Sequence, residues 1–272
     1  MESKVSICIP TYNGELYIKE AIDSVLSQSY YNCEILVVDD CSTDSTVDLI
    51  EEYHDNRIKL IRNDTNIGMV NNWNKCLKES KGEYVQFLFQ DDILFKDCII
   101  KKLNAFNNDN RVNMVFGASK IIDSNGVVLS GRRYSKHDHL INGCEIAYKS
   151  FLFKNYFGEP SNVMFKKDIT KNIGYFNNNM SYIVDQDYWI RMSAQGYVYY
   201  LSDYLMKFRI SRTAMTSKLI NRMASIFNED NLFLESVKKN ERFRVTKKDE
   251  FVHKIFMYLR TMLKYVYISI FI

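Results

Sequence analysis

Apolar and polar positions along the first hundred residues follow two different periods. Short runs of bulky apolar residues occur in KVSICIP, CEILVVDD, RIKLIRN and EYVQFLFQ, and such runs are typical of strands buried in a sheet. Between them, GELYIKEAIDSVLSQ, STDSTVDLIEEYH and MVNNWNKCLKES have the spacing of amphipathic helices, the second one opening with capping residues. Strands that alternate with helices predict a mainly parallel, doubly wound α/β sheet.

The pattern is more mixed beyond residue 95. RVNMVFGASKII and GVVLSG predict further strands, INGCEIAYKSFLFK predicts a helix, and SNVMFKK and VYYLSDYLMKFRI predict strands around a helix that begins near Asp185. Residues 216–272 have a helical pattern. We therefore expect an α/β domain over residues 1–215, with halves 1–95 and 96–215, and a helical extension over residues 216–272.

Three polar clusters follow the predicted strands, namely IPTYN, VVDD and FQDD. In doubly wound sheets the ligand crevice lies at the carboxyl ends of the strands, so these clusters should converge on one edge. Asp91 and Asp92 place two like charges beside an apolar strand, which is unfavourable unless a cation or hydrogen-bond donors compensate them.

A divalent cation such as Mg²⁺ or Mn²⁺ is one way to compensate this acidic pair, since hard cations prefer carboxylate oxygens and often bridge to phosphates. The alternative is that Asp91 and Asp92 merely cap the segment ILFKDCIIKKLNAF. A second acidic pair, Asp39 and Asp40, ends another strand and favours a ligand site.

The composition is that of a globular protein, with 46% hydrophobic and 25% charged residues in 272. The six cysteines form no CxxC pair, which predicts reduced thiols in a cytosolic protein. The start MESKVSICIP has no long apolar run behind a basic head, so a secretory signal is not expected.

Charge is distributed unevenly along the chain. Residues 205–272 contain fourteen Lys and Arg against six Asp and Glu, a net +8, which leaves −5 for residues 1–204. The end of the chain is apolar but interrupted by two charges, so it is a poor membrane span. Two alternatives stay open for this tail: a helix packed on the body or on a partner chain, and an interfacial helix drawn to anionic lipid.

The interfacial alternative predicts a specific distribution of side chains over residues 250–272. The apolar side of that helix would carry Phe256, Leu259, Leu263 and Tyr267. Arg260 and Lys264, four residues apart, would share another side near lipid headgroups.

The stretch VSICIPTYNGELYIKEAIDSVLSQSYYNCEILVVDDCSTDST resembles the amino-terminal signature of family 2 glycosyltransferases, which have the GT-A fold. NDTNIGMVNNWNKCLKESKGEYVQFLFQDD continues the resemblance through the family's DxD-type metal motif, here Gln90-Asp91-Asp92, and about residues 4–215 are covered. The resemblance implies an inverting transferase of the bacterial surface-polysaccharide type. It would use a nucleotide-sugar donor, a UDP-sugar or a dTDP-sugar, and Mn²⁺ or Mg²⁺.

The resemblance also implies which residues hold the donor. Asp40, beside Asp39, would accept hydrogen bonds from the base or ribose, and Asp92 would be the principal metal ligand with Asp91 towards the ribose or metal. The remaining residues assigned to the donor site are Pro10, Thr11, Tyr12, Asn13, Glu15, Asn66, Asn74 and Gln90. The alternative for PTYN is a plain turn with Tyr12 in the core.

The segment YIVDQDYWIRM resembles the part of the family in which an acid precedes an aromatic-rich helix, and Asp185 falls on the catalytic base. An aspartate carboxylate is ionised at neutral pH and can accept the proton of an attacking sugar hydroxyl. Asp187 is the second candidate for the base, and the alternative is that either acid is a helix N-cap. The residues expected on the acceptor side are Glu159, Pro160, Asp187, Trp189 and Arg191.

The sequence departs from the family at Ser211, where many relatives carry a His near the metal or diphosphate. His137, His139 and His253 match no motif and are expected at the surface. The expected partners are a nucleotide-sugar and a saccharide or lipid-linked saccharide, with no nucleic acid. A homodimer and peripheral membrane contact through residues 250–272 stay open, and the expected location is the cytoplasm or the cytoplasmic face of the inner membrane.

Three other function classes fit the sequence less well. A receiver domain should carry its acidic pair after the first strand, where this chain has PTYN. A nucleotidyltransferase should have a Gly-rich loop with Arg or Lys after the first strand. The segment PTYNGELY at that position has one Gly and no Arg or Lys. A catalytically inactive nucleotide-sugar-binding adaptor is disfavoured because Asp40, Asp92 and Asp185 are all retained.

Overall fold

The structure is a computed structural model that describes residues 5–210, 223–242 and 244–271, with the side chains of residues 228–242 and 244–263 in its last two helices. The strands are β1 Val5–Thr11, β2 Cys33–Asp39, β3 Ile58–Arg62, β4 Tyr84–Phe87, β5 Ile93–Leu94, β6 Val112–Ile122, β7 Val128–Arg132, β8 His139–Asn142, β9 Val163–Lys166 and β10 Tyr197–Arg209. The helices are α1 Ile18–Leu26, α2 Thr46–Glu51, α3 Met69–Glu79, α4 Cys98–Asn108, α5 Gly143–Leu152, α6 Thr170–Ile173, α7 Val184–Ser193, α8 Met223–Lys238 and α9 Lys247–Phe271.

The described strands form one ten-stranded mixed sheet in the order β3-β2-β1-β4-β9-β6-β10-β5, with β7 beside β6 and β8 beside β10. Strands β3, β2, β1 and β4 are parallel to their neighbours in that part of the sheet. Strand β9 runs antiparallel to both β4 and β6, while β6 and β10 are parallel. The carboxyl ends of β1, β2 and β4 therefore meet at one edge, as the sequence pattern predicts.

Helices cover both faces of the sheet and bury two apolar layers. Successive residues of β1 point to opposite faces, so Ile7 and Ile9 pack with Ile22 of α1 while Cys8 packs with Trp73 of α3. Every residue of β1 is buried, which explains its unbroken apolar pattern. Full burial of one such side chain contributes about 1.5–3 kcal/mol before entropic costs.

The predicted α/β class with a helical carboxyl-terminal part is confirmed. The second half differs from a purely parallel sheet, because β9 enters antiparallel and β5 and β8 add short edges to β10. The division into halves at 95/96 stays a prediction, since one sheet runs through both. The predicted boundary at 215/216 lies outside the described residues.

The last helix packs on the body through one side. His253 is 1% exposed, and its Nε2 and Nδ1 lie 2.7 Å from Asp230 Oδ1 and from the carbonyl oxygen of Phe151. The imidazole stacks on the Phe151 ring with 4.5 Å between the centres. The expectation that His253 is a surface residue is therefore wrong, and the described part of α9 is docked.

The opposite side of α9 is exposed. Phe251, Ile255, Leu259 and Leu263, spaced four residues apart and called the apolar stripe below, are 65%, 42%, 49% and 69% exposed. Phe256, which the interfacial alternative placed on the apolar side, contacts the Phe153 ring edge-on at 5.0 Å. The side chains of Lys264 and Tyr267 lie outside the described part. Over the described residues, no helix has both the length and the apolar character to cross a membrane.

Candidate active site

Gln90 ties the end of β1 to the end of β4. Its Oε1 accepts from Thr11 Oγ1 at 2.5 Å and from the Tyr12 N–H at 2.8 Å, and its Nε2 donates to the Tyr12 carbonyl at 3.2 Å. Gly14 permits this approach, because a Cβ there would lie 2.6 Å from Gln90 Oε1. Pro10 is buried within β1, whereas the Tyr12 side chain is 46% exposed. The structure thus excludes Tyr12 from the core and leaves its ring free for a flat ligand.

Asn13 and Glu15 join this loop to the loop after β2. Asn13 has φ 48°, a left-handed conformation that Asn tolerates better than most residues. Its N–H donates to Ser42 Oγ and its Oδ1 accepts from the Thr43 N–H, both at 2.9 Å. Glu15 Oε2 accepts from the Ser45 N–H at 3.1 Å, just before α2. These contacts order the rim, and a direct contact with the donor stays a prediction.

Asp40 anchors the loop between β3 and α3. It is 2% exposed, and its Oδ1 accepts from Asn63 Nδ2 and the Ile67 N–H, each at 2.8 Å. Its Oδ2 accepts from the Gly68 N–H at 2.9 Å. These contacts give Asp40 a positioning role for the loop, and its direct contact with the base or ribose stays a prediction.

Three further donor-site candidates also make local contacts. Asp39 is buried and accepts from the hydroxyl and amide of Ser42 at 2.5 and 3.0 Å, and Asn66 Oδ1 accepts from a backbone amide two residues on at 3.1 Å. Asn74 exchanges two hydrogen bonds of 2.9 Å with the backbone of Phe176. Asn74 therefore holds the segment before α7 in place, and its role at the donor stays a prediction.

The acidic pair after β4 is divided into a buried and a partly exposed member. Asp92 is fully buried, and its Oδ2 accepts from Ser161 Oγ at 2.5 Å while its Oδ1 accepts from the Arg209 N–H at 3.1 Å. Burial and the charge of Asp91 raise the pKa of Asp92 well above its usual range. Burial also raises the pKa of Asp91, although that residue is partly exposed. Asp91, rather than Asp92, is thus the acid that reaches the surface.

Arg209 compensates the acidic pair, and sequence reasoning missed it. The side chain is 2% exposed; its Nε donates to the Asp91 carbonyl at 2.9 Å, and its Nη1 donates to two carbonyls of the turn after β6 at 3.2 Å. Its Nη2 pairs with Glu20, and the guanidinium lies 4.3 Å from the ring centre of Tyr17. Arg209 is 117 residues from Asp92 in the sequence, so spacing alone does not connect the two residues. The sequence signal that could have indicated Arg209 is a charged residue at the end of the apolar pattern of β10.

The segment 155–162 connects the acidic pair with Asp185. At one end, Ser161 Oγ bonds Asp92 and also accepts from the Phe89 N–H at 2.9 Å. At the other end, Asn155 Nδ2 donates to Asp185 Oδ2 at 3.2 Å. Asp185 lies in the first turn of α7, where the helix dipole favours a carboxylate. The N-cap position belongs to Ile183, so the capping alternative for Asp185 and Asp187 is wrong.

Glu159 and Pro160 lie in the middle of this segment. Pro160 is buried and opens a 3-10 turn that ends at Asn162. Glu159 forms an ion pair with Arg132 at the end of β7. Its Oε2 is buried and accepts no hydrogen bond from the described part of the chain. A buried acceptor without a donor costs free energy in the folded protein.

The other three expected acceptor-side residues are structural. Trp189 is fully buried against the rings of Phe165 and Phe176, which places it in the core. Asp187 is 1% exposed and accepts from Nε and Nη2 of Arg191 at 2.9 and 2.7 Å. Arg191 also donates to two backbone carbonyls before α7. Asp187 and Arg191 are thus paired with each other, and a contact of the three residues with the acceptor stays a prediction.

The expected metal ion can be compared with the metal-ligating side chains that the described residues bring together. Over residues 5–210, 223–242 and 244–271, no three His, Cys, Asp or Glu side chains gather where they could hold a metal ion. A cation at Asp91 would therefore need oxygen ligands from outside the protein. Ser211, the departure from the family, lies outside the described residues. The six cysteines are free thiols, as expected.

Comparison with known sequences gives a consistent family. The sequence model described as "Glycosyl transferase family 2" matches residues 6–174. An uncharacterised glycosyltransferase of Rickettsia typhi is 30% identical over 256 residues, which cover 89% of this chain and 74% of the relative. The UDP-Glc:alpha-D-GlcNAc-diphosphoundecaprenol beta-1,3-glucosyltransferase WfgD of Escherichia coli is 37% identical over 124 residues, covering 46% of this chain and 49% of that enzyme.

Solved structures with the GT-A fold are similar to this one. TarS residues 1–349 of S. aureus in complex with UDP-GlcNAc gives a TM-score of 0.70 at 23% identity, covering 93% of this chain and 71% of that chain. The mannosyltransferase PcManGT of Pyrobaculum calidifontis, in complex with GDP-Man and Mn²⁺, gives a TM-score of 0.59 at 16% identity, covering 97% and 69%. At these identities, the similarity establishes the fold.

Proposed function

The chain belongs to glycosyl transferase family 2, and we propose that it is an inverting enzyme that moves a sugar from a UDP-sugar to a hydroxyl of a saccharide acceptor. The observation that carries this proposal is the segment 155–162, which contacts Asp92 through Ser161 and Asp185 through Asn155. A single displacement needs a base on one side of the anomeric carbon and a leaving-group site on the other. One short segment links the two candidates for these roles.

The donor proposal rests on the rim and on two similar proteins. The exposed ring of Tyr12 offers a face on which a nucleotide base can stack, above a backbone held by Gln90. The TarS structure contains UDP-GlcNAc, and the E. coli relative is named for UDP-Glc. These observations favour a uridine donor over a dTDP-sugar.

The acceptor proposal follows the E. coli relative, whose name specifies a GlcNAc unit on diphosphoundecaprenol. We infer that this chain extends a lipid-linked saccharide during capsule, O-antigen or lipopolysaccharide synthesis. We place Glu159 on the acceptor side because it lies in the segment 155–162, whose Asn155 contacts Asp185.

The proposed cofactor is Mn²⁺ or Mg²⁺, held by Asp91. Asp92 has both oxygens committed to Ser161 and Arg209, so we assign it the role of positioning Asp91 and revise its place as principal ligand. A single carboxylate suits a hard cation that takes its other oxygens from a diphosphate and water. When bound, such a cation offsets the negative charge of the leaving diphosphate.

Asp185 is the proposed base. Asn155 donates to its Oδ2 and fixes the carboxylate at the start of α7. As the acceptor oxygen attacks the anomeric carbon, its proton passes to the Asp185 carboxylate. The bond from that carbon to the diphosphate oxygen breaks on the opposite face, so the configuration at the carbon inverts and the nucleoside diphosphate leaves.

The apolar stripe on α9 is proposed to contact a membrane surface, where a lipid-linked acceptor would lie. Lys254 on the same helix is exposed, and basic side chains are attracted to anionic lipid. Flotation with phosphatidylglycerol vesicles should carry the protein upward at low salt and fail as salt rises, because salt screens this attraction. Flotation that is equal with neutral vesicles would contradict the electrostatic part of the proposal.

The function is tested by a panel of donors. Thermal stability and nucleotide release should be measured with UDP-Glc, UDP-GlcNAc, UDP-Gal, GDP-Man and dTDP-Rha in the presence of Mn²⁺. We expect stabilisation and slow hydrolysis with at least one UDP-sugar. Asp185→Asn should keep the stabilisation and lose the hydrolysis. Stabilisation with no turnover in the unaltered protein would instead identify an inactive nucleotide-sugar-binding adaptor.

A further inference from the structure

We propose that a cleft separate from the donor rim binds a second sugar residue of the acceptor, one unit removed from the reacting hydroxyl. This aromatic cleft is lined by Tyr134, Ser135, His139, Lys149, Phe153 and Tyr156, and has a volume of about 430 Å³. Pockets for small ligands usually measure about 300–1,000 Å³. The inference deepens the proposed function and rests on it.

The walls of the aromatic cleft are held in fixed positions. The ring centres of Tyr134 and Tyr156 are 5.6 Å apart and perpendicular, and His139 lies 5.6 Å from Tyr134. The Tyr200 hydroxyl accepts from the Tyr134 N–H and donates to the Ser135 carbonyl, each at 3.1 Å. Tyr200 belongs to β10 and is buried, so the sheet itself positions two residues of the cleft.

The chemistry of the lining matches a neutral pyranose. Such a ring has apolar C–H faces, which pack on aromatic rings, and hydroxyl edges, which need donors and acceptors. The cleft supplies the rings together with the hydroxyls of Tyr134 and Ser135. His139 Nδ1 lies 2.9 Å from the His137 carbonyl oxygen, which leaves Nε2 as the ring nitrogen that can contact a ligand.

Two other occupants fit the lining less well. A lipid chain would bury these polar groups without partners, which is costly. An anionic group would find Lys149 already paired with Glu145 at 2.6 Å, so this lysine offers it little free charge. An uncharged sugar residue can pack its C–H faces on the aromatic rings and form hydrogen bonds with the polar groups of the cleft.

The aromatic cleft and the proposed base are both connected to the segment 155–162. Tyr156 immediately follows Asn155, whose side chain bonds Asp185 at 3.2 Å. Strand β7, which leads into Tyr134, ends at Arg132, and Arg132 pairs with Glu159 in the same segment. An acceptor whose reacting unit lies at Asp185 can therefore place its next unit in the cleft, so the enzyme would select a saccharide longer than one unit.

Direct saccharide binding tests this inference without the donor reaction. Saturation-transfer NMR on the full chain would use cellobiose, lactose, maltose and N,N′-diacetylchitobiose, each with its monosaccharide. At least one disaccharide should receive saturation at its ring protons more strongly than its monosaccharide does. Tyr156→Ala should weaken that signal by roughly two- to tenfold, the effect of about 0.5–1.5 kcal/mol from one aromatic contact. Tyr156→Phe, which keeps the ring, should retain most of it.

Tyr31→Ala is the matched control, because it removes a tyrosine that is 70% exposed in the loop before β2. The control should bind as the unaltered chain does, and melting curves should show that all variants are folded. No saturation of any disaccharide, or equal saturation in Tyr156→Ala and the unaltered chain, would overturn the cleft assignment. Nucleotide release from UDP-sugars by the unaltered chain tests the proposed function separately, so the two failures can be told apart.

Discussion

Asp185 and Asp187 lie two residues apart in α7, and replacing each with Asn should give opposite phenotypes. Asp185→Asn should leave a folded protein that binds donor but turns over slowly. Asp187→Asn should leave the role of Asp185 as the base intact but lower the free energy of unfolding. The reason is the difference in surroundings, since Asp187 is 1% exposed and paired with Arg191, whereas Asp185 is partly exposed beside Asn155.

The cost of each change can be worked from these contacts. Removing one partner of a buried ion pair typically costs about 3–5 kcal/mol, and Asn keeps some of the hydrogen bonding, so about 3 kcal/mol is expected for Asp187→Asn. A domain of this size shifts its melting temperature by roughly 2–4 °C per kcal/mol, which predicts a fall of about 6–12 °C. For Asp185→Asn, the loss should be within about 1 kcal/mol, while turnover falls on the order of 10²-fold or more.

The assay combines a melting curve with nucleotide release at saturating donor, below the melting temperature of the weakest variant. Ser236→Ala is the matched control, because its hydroxyl bonds the same Asp187 carboxylate from α8 at 2.5 Å. Losing that one bond should cost about 1 kcal/mol and leave turnover unchanged. The reasoning is refuted if Asp187→Asn melts normally and is inactive while Asp185→Asn remains active, since the base would then be Asp187.

Three further outcomes are expected. Asp91→Ala should abolish transfer and the stabilisation of the protein by UDP with Mn²⁺, measured by thermal shift, and full activity in excess EDTA would contradict the metal assignment. His253→Ala should lower the free energy of unfolding by about 3 kcal/mol, because it removes the ring stacked on Phe151 and the hydrogen-bond partner of the buried Asp230 carboxylate. An unchanged denaturant midpoint would show that α9 is not docked through this residue. Glu159→Gln should raise the KM for the acceptor more than it changes kcat, since the carboxylate is expected to accept from a hydroxyl; equal effects on donor binding, measured by calorimetry with UDP, would place Glu159 at the donor instead.

Periodicity predicted the elements that bury an unbroken apolar face. Strands β1, β2, β4 and β6, and helices α1 and α3, fall where their apolar spacing places them, because burial on a sheet face requires that spacing. Periodicity did not predict strands β5 and β8. They are two and four residues long and pair with β10 from distant parts of the chain.

The site residues show a different limit. Motif similarity points to Asp40, Asp92 and Trp189, and the structure shows that all three side chains are buried and contact their neighbours, which the motif alone does not reveal. A single sequence gives a residue's type and spacing but not the direction of its side chain. Whether an acid after a strand faces the crevice or the core depends on donors brought from elsewhere, as Ser161 shows for Asp92.

The two acids after β4 are tolerated for two separate reasons. Asp92 accepts hydrogen bonds from Ser161 and from the backbone of Arg209, which compensate this carboxylate within the protein. The Arg209 side chain donates to the carbonyl of Asp91 and pairs with Glu20, so this cation fixes the backbone that carries Asp91. On the function proposed above, the Asp91 carboxylate is the part of the pair that contacts the ligand. Because the two acids are adjacent in the chain, the buried acid then sets the position of the partly exposed one.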